Sequence, residues 1–62
     1  MPSLEFPNAV RDSLNRTRFN ARTYINGWYV TRLIYGRFLL QDSPIADGVV
    51  YTFEDAERRI LS

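Results

Sequence analysis

With 62 residues the chain is long enough for one small domain, in which folding buries only about 60% of the surface of the unfolded chain. It contains no cysteine and no histidine, which excludes disulfides, thiolate nucleophiles, imidazole bases and the usual zinc ligands. The net charge of +1 is unevenly placed: residues 1 to 37 hold six arginines against two acids, and residues 38 to 62 hold two arginines against five acids. Such an asymmetry can guide self-association or steer a charged partner.

The first eight residues have the composition of an arm. Pro2 and Pro7 bias their predecessors toward extended backbone, and Leu4 and Phe6 are candidate anchors. The segment lacks the basic start and apolar core of a signal peptide, and no apolar run approaches the ~18 residues of a membrane span. The sequence therefore predicts a cytoplasmic protein without membrane contact.

From Asn8 the sequence favours a short helix, because Asn8 can cap it and Val10 and Leu14 lie four residues apart on one face. The polar residues around them are indifferent helix formers, so a disordered basic arm remains the alternative. We therefore divide the chain into an N-terminal arm or short helix over residues 1–18 and a folded unit over residues 19–62.

The dipeptide Asn26-Gly27 between two apolar runs is the strongest hairpin signal in the chain. A type I′ turn requires positive φ at both central residues, which glycine accepts freely and asparagine better than most residues. The flanking residues 19–25 and 28–35 are rich in aromatic and β-branched side chains, and we predict a strand over each.

Directly paired residues share a face, so this turn divides the side chains of the hairpin into two sets. The first face is apolar apart from one arginine, and it carries Phe19, Ala21, Thr23, Ile25, Trp28, Val30, Arg32 and Ile34. The second face is mixed, and it carries Asn20, Arg22, Tyr24, Tyr29, Thr31, Leu33 and Tyr35. A register slip of one residue would exchange the two faces.

Beyond this hairpin, Gly36-Arg37 fits a second tight turn, which would place Tyr35 opposite Phe38. A third strand over residues 38–41 then adds Leu39 to the first face, and Phe38 and Leu40 to the second. A loop with Pro44 leads to a fourth strand over residues 49–52.

The strongest helix signal is the closing segment, residues 53–61. Thr52 can cap it, its first turn holds two acids, and Arg58 and Arg59 lie toward its other end, as the helix dipole favours. We therefore predict an α+β domain, an antiparallel β-meander of three to four strands with this C-terminal helix on one face. One short helix covers one face, so the second face must meet residues 8–18, a second copy of the chain or another protein.

Catalytic chemistry finds little support in the remaining residues. Glu54, Asp55 and Glu57 cluster where a solvated helix start places acids, and Asp42 and Asp47 do not have the spacing of a calcium loop. Since no glycine-rich phosphate loop is present either, we expect a non-enzymatic protein without cofactor or metal.

Nucleic-acid binding is the alternative function. One basic stretch holds Arg11, Arg16, Arg18 and Arg22, and arginine beside tyrosine on a β-surface suits phosphates and stacked bases. The nearly neutral net charge and the acidic C-terminal half oppose a polyanion.

The sequence thus predicts a small protein-binding module, because an uncovered aromatic face usually marks an interaction surface. A homodimer is expected, and the expected mode of action is inhibition or redirection of a protein by occluding its surface. Small non-catalytic proteins of this kind are common as phage or mobile-element factors that act on a host protein, an association from size and composition. The predicted partner-binding residues are Tyr24, Tyr29, Tyr35, Arg22, Arg16 and Arg18.

Overall fold

The computed structural model describes residues 7–62, which form two helices and one antiparallel sheet. In chain order the elements are α1 (Pro7–Arg16), β1 (Arg22–Ile25), β2 (Trp28–Arg32), β3 (Phe38–Gln41), β4 (Val49–Tyr51) and α2 (Phe53–Leu61). The strands lie in sequence order in one sheet, so the predicted α+β class and its meander are confirmed. The candidate anchors Leu4 and Phe6 lie outside the described residues.

Of the two alternatives predicted for the N-terminal segment, a short helix and a disordered arm, the structure has the short helix. Pro7 occupies its first turn, where a missing N–H costs nothing, and Val10 and Leu14 are fully buried on one face. Its other end is held by Arg32, whose Nη1 donates to the carbonyl oxygens of Leu14 at 3.3 Å and Thr17 at 3.1 Å. The one charge of the predicted apolar face therefore caps a helix C-terminus.

The first hairpin has the predicted turn and register. Asn26 and Gly27 adopt φ values of 50° and 91°, and Ile25 pairs with Trp28 across the turn. Asn26 also donates its side-chain amide to the Ile60 carbonyl oxygen at 2.8 Å, which fastens the turn to the last turn of α2.

The start of this hairpin differs from the prediction. Asn20 adopts φ 64° and donates its N–H to the Arg32 carbonyl oxygen at 2.8 Å, while the Arg32 N–H donates to Ala21 O at 3.1 Å. Two residues therefore oppose one, the arrangement of a β-bulge. Phe19, predicted on the apolar face, is exposed as a result.

The predicted second turn is wrong. Phe38 pairs with Arg32 instead of Tyr35, and residues 33–37 form a longer connection in which Tyr35 adopts φ 62°. This register differs from the predicted one by three residues, an odd number, so it exchanges the faces of β3. Phe38 and Leu40 are buried in the core, and Leu39 lies on the other face.

Both helices pack on the same face of the sheet, where they enclose a single core. Its fully buried members are Val10, Leu14, Ile25, Val30, Phe38, Leu40, Ala56 and Ile60. Across the helix pair, Arg11 binds the buried Glu57 through two hydrogen bonds of 3.0 and 3.2 Å. These bonds raise the pKa of the Arg11 guanidinium above its ordinary value.

Candidate functional site

The open face is the sheet surface opposite the two helices. Alternation along each strand and the observed pairings assign seven side chains to it: Arg22, Tyr24, Tyr29, Thr31, Leu39, Gln41 and Val50. Within residues 7–62 no helix covers this face, but the loop before β4 covers one end of it: Gln41 is 6% exposed, and its side-chain amide donates to Ala46 O. The predicted uncovered face is therefore present, with different members on β3.

Two predicted contact residues form an aromatic pair at the turn end of the open face. The rings of Tyr24 and Tyr29 lie 5.0 Å apart at 63°, an edge-to-face arrangement, and Tyr24 is 62% exposed. Arg22 extends across the Tyr29 ring, with its guanidinium carbon 6.0 Å from the ring centroid, and donates to Gln41 Oε1 at 3.4 Å. Side chains of three strands are thus linked over this surface.

The open face also has an apolar part that the sequence analysis did not assign correctly. Leu39 pairs with Val50, and Val50 is 51% exposed. The predicted register between β2 and β3 places Leu39 on the covered face. It assigns no face to Val50, because the facing of β4 depends on that of β3. The observed pairing of β2 and β3 assigns Leu39 to the open face, and the pairing of Leu39 with Val50 then assigns Val50.

The structure brings Arg16, Arg18 and Arg22 together. They line an open groove of about 300 Å³ between the end of α1 and β1, which they share with Ser13, Thr17, Ala21 and Thr23. The ion pairs found within residues 7–62 are Arg11 with Glu57 and Arg58 with Asp55, so the three arginines of the groove have no acidic partner in that part of the chain. We call this feature the basic groove.

Tyr35 is separated from the other predicted contact residues. It lies in the connection beyond the far end of β2, whereas Tyr24 and Tyr29 lie beside the Asn26-Gly27 turn. Its side chain is 86% exposed and its backbone is left-handed, which is strained for a bulky residue. Tyr35 therefore belongs to a different surface from the tyrosine pair.

Neither of the helices found in residues 7–62 has the length and apolar character needed to cross a membrane. In the same part of the chain, no three acidic side chains gather as a metal site would require. Comparison of the chain with protein-family models, with curated proteins and with solved structures finds no match.

Proposed function

We propose that this protein is a small non-enzymatic binding module whose open face contacts a protein partner and occludes part of the partner's surface. One observation carries the proposal: a sheet face with a tyrosine pair, Leu39 and Val50 is covered by no helix within residues 7–62. Soluble monomers rarely leave a contiguous apolar surface without a binding role, and tyrosine is enriched at protein interfaces.

The order of this surface also favours binding. The edge-to-face contact of Tyr24 with Tyr29, and the Arg22 guanidinium over the Tyr29 ring, order this pair before a partner arrives. Side chains that are already ordered lose little conformational entropy on association. Tyrosine adds a large apolar ring and a polar hydroxyl with few rotatable bonds.

The expected homodimer remains a prediction that concerns the same face. Two copies could close their open faces against each other, and the face would then be unavailable to another protein. Sedimentation velocity separates the two cases, because a dimer would have twice the mass of the 62-residue chain. A monomer would leave the open face available to the heterologous partner that we propose as its occupant, and a dimer that buries this face would contradict that occupant.

The test uses two neighbouring valines of β4 that point to opposite sides of the sheet. Val50 lies on the open face and is 51% exposed, whereas Val49 lies on the other side and is 57% exposed. The proteins captured from an extract of the source organism are compared for the wild type, Val50→Arg and Val49→Arg, and the melting temperature of each is measured. We expect Val50→Arg to lose a specific protein that Val49→Arg retains. Equal retention or equal loss in the two variants would contradict the proposal.

Nucleic-acid binding is the second candidate, because Arg16, Arg18 and Arg22 line one open groove. The Arg22 guanidinium opposes it, since it occupies the Tyr29 ring on which a base would stack. Sedimentation with a generic oligonucleotide at low and high salt tests this candidate. Binding that falls as salt rises would replace the first proposal.

A further inference from the structure

Within residues 7–62, the backbone groups on the outer edge of β1 are free in a defined pattern. The Arg32 N–H donates to Ala21 O, which fixes the phase of the ladder between β1 and β2. In an antiparallel pair, alternate residues bond to the partner strand, and the residues between them direct N–H and C=O away from it. Arg22 and Tyr24 are the outward residues, and β1 is an edge strand of the sheet.

The basic groove runs beside this edge. Arginines at a sheet edge discourage pairing with neutral or basic strands, since each approach would bury an unpaired charge. Pairing with an acidic strand is favoured instead, because its carboxylates would pair with Arg16 and Arg18. These two arginines have no acidic partner within residues 7–62. The edge is therefore selective for charge, and it disfavours most strands.

We propose that the β1 edge binds an extended acidic segment of the partner as a fifth strand. Its backbone would pair with Arg22 and Tyr24, and its carboxylates would contact Arg16 and Arg18. The proposal rests on the proposed function in taking a protein as the ligand, and it adds the chemistry of that ligand. Because side chains alternate along a strand, the segment would carry acids at every second position toward the basic groove and apolar residues beside Tyr24.

A peptide fits this edge better than a nucleic acid. The outward groups of Arg22 and Tyr24 include two donors and two acceptors, and a strand supplies the complement of both, whereas a phosphate group only accepts. The edge-to-face angle of 63° also leaves the two tyrosine rings without a common plane for successive bases. The acidic C-terminal half of the chain would repel a long polyanion more strongly than a short acidic segment.

A second copy of the chain fits less well. Two β1 edges paired with each other would bring the arginines of two basic grooves together, and their like charges would oppose the association. The other edge strand, β4, consists of Val49, Val50 and Tyr51 and brings no carboxylate within the strand to Arg16 or Arg18. The acidic strand is therefore expected from another protein.

The test is a titration of the full chain with a short synthetic peptide of alternating glutamate and valine, followed by NMR and amide hydrogen exchange. The control peptide has lysine in place of glutamate. We expect saturable binding of the glutamate peptide and at least ~10-fold slower exchange of the Arg22 and Tyr24 amides, because these amides become hydrogen-bonded. The lysine peptide should bind at least ~10-fold more weakly.

Matched variants locate the charge contact. Arg18→Glu should weaken the glutamate peptide at least ~10-fold, and Arg37→Glu, which makes the same change at an exposed site in the β2–β3 connection, by less than ~2-fold. Arg16 lies in the last turn of α1, where an acid would oppose the helix dipole, so Arg16→Gln is used there and should weaken binding ~3-fold or more. The melting temperature of each variant controls for folding.

Each other outcome overturns the fifth-strand proposal. No binding of the glutamate peptide, or equal binding of the lysine peptide, does so, and the comparison of Val50→Arg with Val49→Arg then decides separately whether the open face binds a protein. Peptide binding that perturbs Leu39 and Val50 without protecting Arg22 and Tyr24 moves the ligand to the open face. Salt-sensitive self-association that Arg18→Glu abolishes would assign the basic groove to a second copy. Oligonucleotide binding that the same variant abolishes would assign the groove to nucleic acid.

Discussion

The two faces of the sheet are built from the same strands, but they have different surroundings. On the covered face, Ile25, Val30 and Phe38 are buried beneath two helices, and on the open face their neighbours Tyr24, Tyr29 and Leu39 have no helix above them within residues 7–62. The residues that stabilise the fold and the residues that can contact a partner therefore lie on opposite faces of one sheet, because alternation places each side chain on only one face. Substitutions on the covered face should change folding, and substitutions on the open face should change binding.

The largest expected effect comes from Phe38→Ala on the covered face. Phe38 is fully buried and packs edge-to-face on Phe53, with ring centroids 5.8 Å apart. Truncation of a buried phenylalanine typically costs about 3–5 kcal/mol, which approaches the whole stability of a domain this small. Chemical denaturation measures the loss.

Leu39→Ala is the matched comparison for Phe38→Ala, because the next residue of β3 points to the open face. We expect a smaller loss of stability, about 1 kcal/mol, since Leu39 is only half-buried. If Leu39→Ala were the more destabilising of the two, Leu39 would be the core residue. The side chains of β3 would then have to exchange between the covered and the open face.

Gly27→Val should have the next largest effect, because both faces depend on the register of the first hairpin. Gly27 adopts φ 91°, where a β-branched residue is strongly disfavoured, although the position itself has space for a Cβ atom. We expect a loss of about 1–3 kcal/mol from backbone strain, measured by thermal unfolding. A wild-type melting temperature would mean that the turn is not built on Asn26-Gly27, and the assignment of both faces would fall with it.

The sequence predicts those parts of the fold that depend on local signals. Asn26-Gly27 determines the register of β1 and β2, and Thr52, whose hydroxyl accepts the Asp55 N–H at 3.2 Å, marks the start of α2. The second connection depends instead on a left-handed conformation at Tyr35, which no local preference of tyrosine indicates. Tertiary pairing of Phe38 with Arg32 imposes it, and so the faces of β3 were predicted in reverse.

The candidate site divides in the same way. The tyrosine pair follows directly from the predicted turn, since Tyr24 and Tyr29 are opposite each other in the first hairpin. The basic groove does not follow from the sequence, because Arg16 and Arg18 reach Arg22 only through the packing of α1 and the bulge at Asn20. A residue pattern cannot indicate such an arrangement before the helix is placed on the sheet.

Tyr35→Gly is expected to raise the stability of the fold, whereas the substitutions above lower it. Tyr35 has φ 62° and an 86% exposed side chain, so its replacement removes strain and almost no packing. We expect a gain of stability of up to about 1 kcal/mol, because glycine relieves the strain of the left-handed conformation. The greater freedom of glycine in the unfolded chain offsets part of this gain. Thermal unfolding measures the gain. A clear loss would favour a different connection between β2 and β3, and with it the reversed faces of β3.

The smallest effect on stability, and the sharpest division between folding and binding, is expected for Tyr24→Ala. Tyr24 is 62% exposed, so truncation should cost at most about 1 kcal/mol, chiefly from its edge-to-face contact with Tyr29. Partner binding should fall at least ~10-fold, because a tyrosine that an interface buries often contributes more than 1.4 kcal/mol.

Ile34→Ala is the control for Tyr24→Ala, because Ile34 is 59% exposed but lies in the β2–β3 connection, beyond the end of the strand. Affinity titrations of the captured partner against both variants, with unfolding curves of each, compare the two positions at similar exposure. A partner that tolerates Tyr24→Ala and is lost with Ile34→Ala would assign recognition to the connection that also carries Tyr35. The open face would then be left without a ligand, and the strain at Tyr35 would be the structural feature that the function requires.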